Sequence, residues 1–406
     1  MVNERSLLYL LILCLPLGAA VHSFATILCF ILTIYLCIKN CRRGSLSSLF
    51  FKFKFPLIFS FTYLFSMIIA SCVNPSNTLL SGIKEFLGYA SWFALPYLFY
   101  LTSQQLEEKD TGNLYSLGSY ICLIWGLIAL SQYIWGWKLQ GMSVMEDVQR
   151  PRGLYSHPLT LAYTALLIWP LSVMTIIKRP RDIRSLFLFA GVGLIIFFTN
   201  SRTVQIAALL VVLFNILYFL KGKSRLIILT LAAVSLTAVS LTDNPDSQKF
   251  RETFTEKGVD KFSKYPDDRL AFWHVHWLMI RERPVFGHGA NLDTAYRTPY
   301  YEKIGLKDLE KKYEAHNLYI QAASNAGIIG LLGFLGWLLW FIAFSLSSLK
   351  SQFSRAVAIE TLVAFALGGF TQNCFQDSGV RFGLTIFCIF ILLLSKNPDS
   401  CHSSKQ

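Results

Sequence analysis

Residues 267–289 read DDRLAFWHVHWLMIRERPVFGHG, and residues 314–333 read EAHNLYIQAASNAGIIGLLG. The first lies within a polar segment, 243–316, and the second closes that segment and leads into the next of the apolar runs of bilayer length that flank it. A connection of roughly seventy residues is far above the usual loop length, and loops that long tend to be functional or to carry their own structure. Asp267 is a good N-cap. The pattern after it predicts a helix with Arg269, Phe272, Trp273 and His276 on one face, at i, i+3, i+4 and i+7. Pro284 stops that helix, and Gly287 and Gly289 mark a turn. Arg269 then sits in a first helical turn, where unpaired N–H groups and the macrodipole favour an anion. His316-Asn317 marks the return of the chain to an apolar run, and Asn200-Ser201-Arg202 marks an earlier junction between two such runs.

The composition fixes the class around this segment. The chain has 406 residues, 54% of them apolar and only 15% charged, against roughly 25% charged in soluble domains. That is a polytopic membrane protein. The formal charge of +13 is placed unevenly. Residues 243–315 hold thirteen Lys+Arg and thirteen Asp+Glu, so they are neutral. The excess lies outside them, much of it in short turns such as KNCRRG, KRPRDIR and KGKSR. This is the positive-inside pattern, and it requires no nucleic acid as partner. Seven of the nine cysteines (14, 29, 37, 72, 122, 374, 388) fall in or beside apolar runs without CxxC spacing, so they read as small apolar side chains. A disulfide is conceivable only between Cys72 and Cys374.

Taken in order, apolar runs lie near 7–21, 24–38, 56–72, 80–101, 117–136, 158–177, 185–200, 203–220, 226–242, 317–349, 356–375 and 383–395. The first resembles a signal peptide, but only His22 and Ser23 separate it from the second, and basic residues follow. A hairpin fits better. The expected fold is an all-α polytopic membrane protein of about twelve transmembrane helices, with both termini inside and one large, partly helical outer loop. It divides into helices one to nine (1–242), the loop (243–316), helices ten to twelve (317–395) and a cytoplasmic tail (396–406). The basic turns 39–54, 178–184, 221–225 and 350–355 then face the cytoplasm. The segments 137–157, 200–203, 243–316 and 376–382 face outward. Gly327, Gly330, Gly333 and Gly336 form a stripe of small residues that lets a neighbouring helix approach closely.

Three residues near helix N-termini on one side form the candidate catalytic set: Arg202, Arg269 and His316. Two fixed cations and one titratable imidazole suit a phosphorylated substrate. Each also has a plainer reading. Arg202 at an interface can snorkel toward headgroups. Arg269 can pair with Asp267, Asp268 or Glu282. His316 can simply cap a helix. A helix N-terminus disfavours the imidazolium, leaving His316 neutral and able to accept a proton. Arg152 and His157, in a second outer cluster of positive charge, are secondary candidates, as are Asn317 and Trp273. His274 and His276 are two apart on a helix and make a poor metal pair. Glu360, near the inner face, reads as structural. The chain has no P-loop, GxSxG, HExxH or EF-hand pattern, and no acidic residue at His22-Ser23. No cofactor or metal is expected, so the energy has to arrive with the substrate.

These residues also resemble a family. Ser201-Arg202, the RLAFW helix at 269–273, the P-x-F-G-x-G turn at 284–289 and HN-x-Y at 316–319 before a Gly-rich span resemble the bacterial O-antigen ligase and O-antigen polymerase family. In motif terms the resemblance covers residues 150–345. It implies a metal- and nucleotide-independent glycosyltransferase of the inner membrane, with its site facing the periplasm. The donor would be an undecaprenyl-diphosphate-linked glycan, the acceptor a sugar hydroxyl on lipid A–core, and the remaining partners membrane lipids. Arg202 and Arg269 would hold the diphosphate, and His316 would be the general base. Arg152, His157, Asn317 and Trp273 would contact substrate. One dominant late outer loop favours ligase over polymerase. A lipid-glycan transporter would instead predict repeat symmetry and charges deep in the spans.

Overall fold

The computed structural model describes residues 4–40, 51–74, 79–102, 108–137, 150–219, 268–289, 292, 294–306, 314–374 and 377–396. Among them every regular element is an α-helix. In chain order these are α1 (Glu4–Cys14), α2 (Ala19–Asn40), α3 (Lys54–Val73), α4 (Leu79–Thr102), α5 (Glu108–Trp135), α6 (Pro158–Lys178) and α7 (Ile183–Phe198). Then come α8 (Arg202–Phe219), α9 (Asp268–Glu282), α10 (Thr294–Lys303), α11 (Leu318–Ser348), α12 (Gln352–Gly368) and α13 (Ser378–Lys396). Seven of them, α2, α3, α5, α6, α8, α11 and α13, are long and apolar enough to cross a membrane. The expected run at 226–242 and the tail at 397–406 lie outside the described residues.

One expected turn is displaced. The break between the first two helices falls at 15–18, not at His22-Ser23. Pro16 cannot continue α1, and Leu17 N closes the turn on the Cys14 carbonyl at 3.0 Å. His22 is instead buried inside α2, bonded to the Leu15 carbonyl at 3.1 Å and stacked on Phe382. Leu15-Pro16-Leu17-Gly18 also lacks acidic residues. The seven cysteines among the described residues are all free, Cys72 exposed and Cys374 buried, so no disulfide joins that pair.

The bundle is built around α6, the most buried of the seven candidate spans. Glycines let backbones meet around it. A Cβ on Gly126 of α5 would lie 2.4 Å from the Gly191 carbonyl oxygen of α7. The small-residue stripe on α11 packs on α3 as its spacing predicts, since Cβ atoms on Gly333 and Gly336 would strike Phe59. Glu360 of α12 is buried and accepts a bond from Asn215 Nδ2 of α8 at 2.6 Å. A carboxyl tied this way to a neighbouring helix fits its structural reading.

Gly327 departs from the stripe. Its backbone is non-helical (φ 67°, ψ −175°), so α11 is two helical pieces in series. The break leaves carbonyls at the end of the first piece and N–H groups at the start of the second without helical partners. The turn after α9 supplies them. His288 N and Gly289 N donate to the carbonyls of Ser324 and Asn325 at 2.9 and 2.8 Å. The carbonyls of Pro284 and Val285 accept from Ile328 N and Ile329 N at 2.8 and 3.4 Å. Ser66 of α3 donates its hydroxyl to the Ala326 carbonyl. The part of the polar segment that is described therefore docks on the bundle through backbone bonds. It also has a small core of its own, where Phe272, Val275 and Met279 of α9 meet Tyr300 and Tyr301 of α10.

Candidate active site

Backbone conformation singles out two of the junctions read from the sequence. Among the described residues, only Asn200 (φ 52°) and His316 (φ 46°) are non-glycine residues with positive φ. Such strain is uncommon and clusters at functional sites. After His316, Asn317 caps α11. Its Oδ1 accepts from Tyr319 N and Ile320 N, both at 3.0 Å, and its Nδ2 donates to the Phe370 carbonyl at 2.9 Å. Leu318 N donates to the Gly369 carbonyl at 2.7 Å, and the Tyr319 hydroxyl to Ala366 at 2.7 Å. The HN-x-Y motif is thus a latch between the start of α11 and the end of α12.

The loop helix is brought to the same place. Phe272 packs against the His316 ring with centroids 5.7 Å apart, while His276 Nδ1 and Ser324 Oγ of α11 lie 2.8 Å apart. Arg269, one turn before Phe272, is exposed and close enough to depress the His316 pKa. Glu282 is not its partner: that carboxylate lies 3.8 Å from Lys303 of α10. Asp267 lies outside the described residues. Trp273 is half-buried, and its indole nitrogen has no hydrogen-bond partner among the described residues.

Arg202 is the exposed first residue of α8. Just before it, Arg150 Nε donates to the Thr199 carbonyl at 2.6 Å, bringing a further cation to this junction. Arg152 is held through its backbone, with its N–H on Gln132 Oε1 at 3.0 Å. His157 caps α6 by accepting the Leu159 N–H on Nδ1 at 3.1 Å. A neutral His157 therefore carries its proton on Nε2 and is a donor there.

Sequence reading missed the segment between α12 and α13. Thr371 Oγ1 donates to Thr203 Oγ1 at 2.9 Å, beside Arg202, and lies 3.2 Å from the Tyr163 hydroxyl of α6. Gln372 Oε1 lies 3.2 Å from His316 Nδ1. Asn373 Nδ2 donates to Glu314 at 2.9 Å. Three consecutive side chains thus tie α8, the His316 junction and the end of the loop together. The only signal in the sequence was a polar TQN inside the run expected at 356–375, a helix that in fact ends at Gly368.

The electrostatics favour a neutral imidazole. Burial is the main reason the His316 pKa is lowered from its usual value, with Arg269 acting the same way; Gln372 and Glu314 oppose them. The helix N-terminus expected to act on it is not the principal cause. His157 is pushed down to about 4 by burial, then by Arg150, Arg152 and His316. Asp377, before α13, is raised to about 6 by burial, with Thr160 and Arg381 opposing.

A helix break spliced by a loop makes one variant diagnostic. A Cβ on Gly327 would lie 2.1 Å from the Val285 carbonyl oxygen at φ +67, where L residues are already strained. Gly327→Ala is expected to lower the amount of folded protein in membranes several-fold, because it expels the turn and strands backbone groups costing about 1–3 kcal/mol each. Gly305, at φ +80 with nothing within 4 Å, is the control. Gly305→Ala carries only the backbone cost of about 1–2 kcal/mol. Equal membrane levels and thermal stability for the two variants would contradict the splice.

The fold and this cluster define a multi-pass helical membrane protein with an arginine- and histidine-bearing polar site where a long loop meets the bundle. Residues 186–335 match the family model described as O-Antigen ligase (Wzy_C), the family that the motifs resemble. The matched stretch contains Arg202, Arg269 and His316. That match supports a glycosyl-transfer enzyme in general, with a lipid-linked glycan and a lipid acceptor as the general class of partners. No curated protein matched the chain.

Proposed function

We propose that this protein is an O-antigen ligase of the bacterial inner membrane. It moves a glycan from undecaprenyl diphosphate to a hydroxyl of a lipid A–core sugar, at the periplasmic face. One observation carries the reading: the spliced loop packs Phe272 on His316 and so sets Arg269 beside it. His316 takes the proton of the acceptor hydroxyl as its oxygen bonds to the anomeric carbon of the donor. The carbon–oxygen bond to the diphosphate breaks, and undecaprenyl diphosphate leaves with the bonding electrons. Arg202 and Arg269 stabilise the charge growing on it. Asn317 serves by capping α11 and tying its start to the Phe370 carbonyl just after His316, and Arg152, His157 and Trp273 border the substrate. The chemistry needs no metal.

The orientation behind this reading is twelve spans with residues 243–316 in the periplasm, supported by the charge of the short turns. A cysteine at Ser247 or Gly305 is then expected to react with a membrane-impermeant thiol reagent added from outside, and one at Gly222 is not. The reverse pattern would overturn the orientation and the site with it. The same domain model also suits a polymerase. A lipopolysaccharide gel of a gene-deletion strain separates the two. Loss of a ligase leaves bare core and retained lipid-linked polymer, whereas loss of a polymerase leaves core bearing one unit. An unchanged gel would remove both.

A further inference from the structure

We propose that Gln372 is a positioning residue that fixes the tautomer of His316, holding the proton on Nδ1 so that Nε2 is the nitrogen presented to the acceptor hydroxyl. The proposal deepens the general-base reading and rests on it.

A neutral imidazole has one donor and one acceptor nitrogen, and which is which follows from the bond the other makes. At His316 the contact is Nδ1 to Gln372 Oε1, 3.2 Å. Oε1 is an amide oxygen and only accepts, so Nδ1 must donate and Nε2 carries the lone pair. His157 shows the opposite arrangement. Its Nδ1 accepts the Leu159 N–H, which puts the proton on Nε2. The two nearby histidines are thereby set to different chemistry, His316 to accept a proton and His157 to donate a hydrogen bond.

Gln372 is itself well placed to impose this. Its neighbours Thr371 and Asn373 are tied to Thr203 and Glu314, and the Gly369 and Phe370 carbonyls are tied to Leu318 N and Asn317 Nδ2. The ring and the amide are thus fixed on the same latch. Charged and titratable groups around the ring are Arg269 on α9, Glu314 on its own segment and His157 at the start of α6, with Asp377 acting on Glu314's side of the site. A neutral amide orients the ring while stabilising the imidazolium less than a carboxylate would. Nδ1 is held while the base stays neutral and ready.

Two measurements on the full-length protein in nanodiscs test this. In the first, nitrogen NMR of histidine-labelled protein, with the His316→Ala spectrum subtracted, is expected to show His316 protonated on Nδ1 and bare on Nε2 when neutral. A proton on Nε2 would overturn the proposal. The second uses donor and acceptor lipids extracted from the host deletion strain. Gln372→Leu is expected to lose at least ~10-fold in kcat at unchanged protein level, within the range for general acid–base catalysis. Gln372→Glu keeps an acceptor for Nδ1–H, so it is expected to recover most of the rate at high pH. Its carboxylate raises the imidazole pKa, so the acid limb of the profile moves to higher pH by about one unit or more. If Gln372→Leu keeps the wild-type rate and pH profile while His316→Ala is inactive, the positioning role falls and the base stands. If His316→Ala is itself active, the general-base reading falls.

Discussion

His316→Ala is expected to abolish glycan transfer while leaving binding of the lipid-linked donor largely intact. In the proposed mechanism the imidazole acts on the acceptor hydroxyl, so its loss would remove the base and not the diphosphate contacts. The pH dependence has a definite sign. The base works when neutral, and burial with Arg269 lowers the His316 pKa, so the acid limb of the rate profile should fall below the reference value of ~6.5. Activity of the purified enzyme should also persist in EDTA, because the proposed mechanism meets the leaving-group charge with guanidinium groups that chelation cannot strip. Loss of activity on chelation, restored by Mg²⁺ or Mn²⁺, would sink the metal-free mechanism. An unaltered rate for His316→Ala would place the base elsewhere. His157 is poorly disposed to be that base, because its Nδ1 is occupied by the Leu159 N–H.

The arginines should give the second large effect. Arg202→Ala and Arg269→Ala are each expected to cost at least ~10²-fold in rate, the scale for losing one preorganised charge-stabilising donor. Lysine should rescue only in part, since a point charge replaces a planar fork of donors. The two positions are reached differently. Arg269 is carried to His316 by the packing of Phe272, whereas Arg202 opens α8 beside the Thr203–Thr371 bond. Thr371→Val should therefore weaken the effect of Arg202 far more than that of Arg269 in a double-mutant comparison. Near-normal turnover by either alanine variant, at equal protein level, would remove that arginine from the site.

Much of this was legible in the residues, and the reasons differ from place to place. Apolar runs of bilayer length report helices directly, because lipid leaves the backbone few other ways to satisfy itself. Hence α3 to α8 and α11 to α13 overlap the expected runs, although only seven helices among the described residues are long and apolar enough to span a membrane. The hairpin at the start was misplaced because Pro16 lies inside an otherwise apolar run and outranks the small gap at His22-Ser23. The candidates Arg269 and His316, which lie near each other, were picked out from order and spacing. Gln372 was not, since a glutamine acquires its meaning only from the nitrogen it faces, and that nitrogen is 56 residues away. Nor was the break at Gly327, because glycine at spacing three from other glycines reads as helix packing. What distinguishes Gly327 is a carbonyl contributed by a distant turn.

That break also bears on how this protein can be recombined. The loop and α11 share four backbone hydrogen bonds across residues 284–289 and 324–329, so neither piece is complete alone. A chimera that imports a relative's loop to change which sugar is accepted would inherit a turn cut for another helix. Backbone groups in its own broken helix would then be left without partners at a buried position. The smallest transplantable structural unit is therefore the whole arc from α9 to the second half of α11. Exchanges cut anywhere inside it should fail for want of a folded span before they report on any substrate.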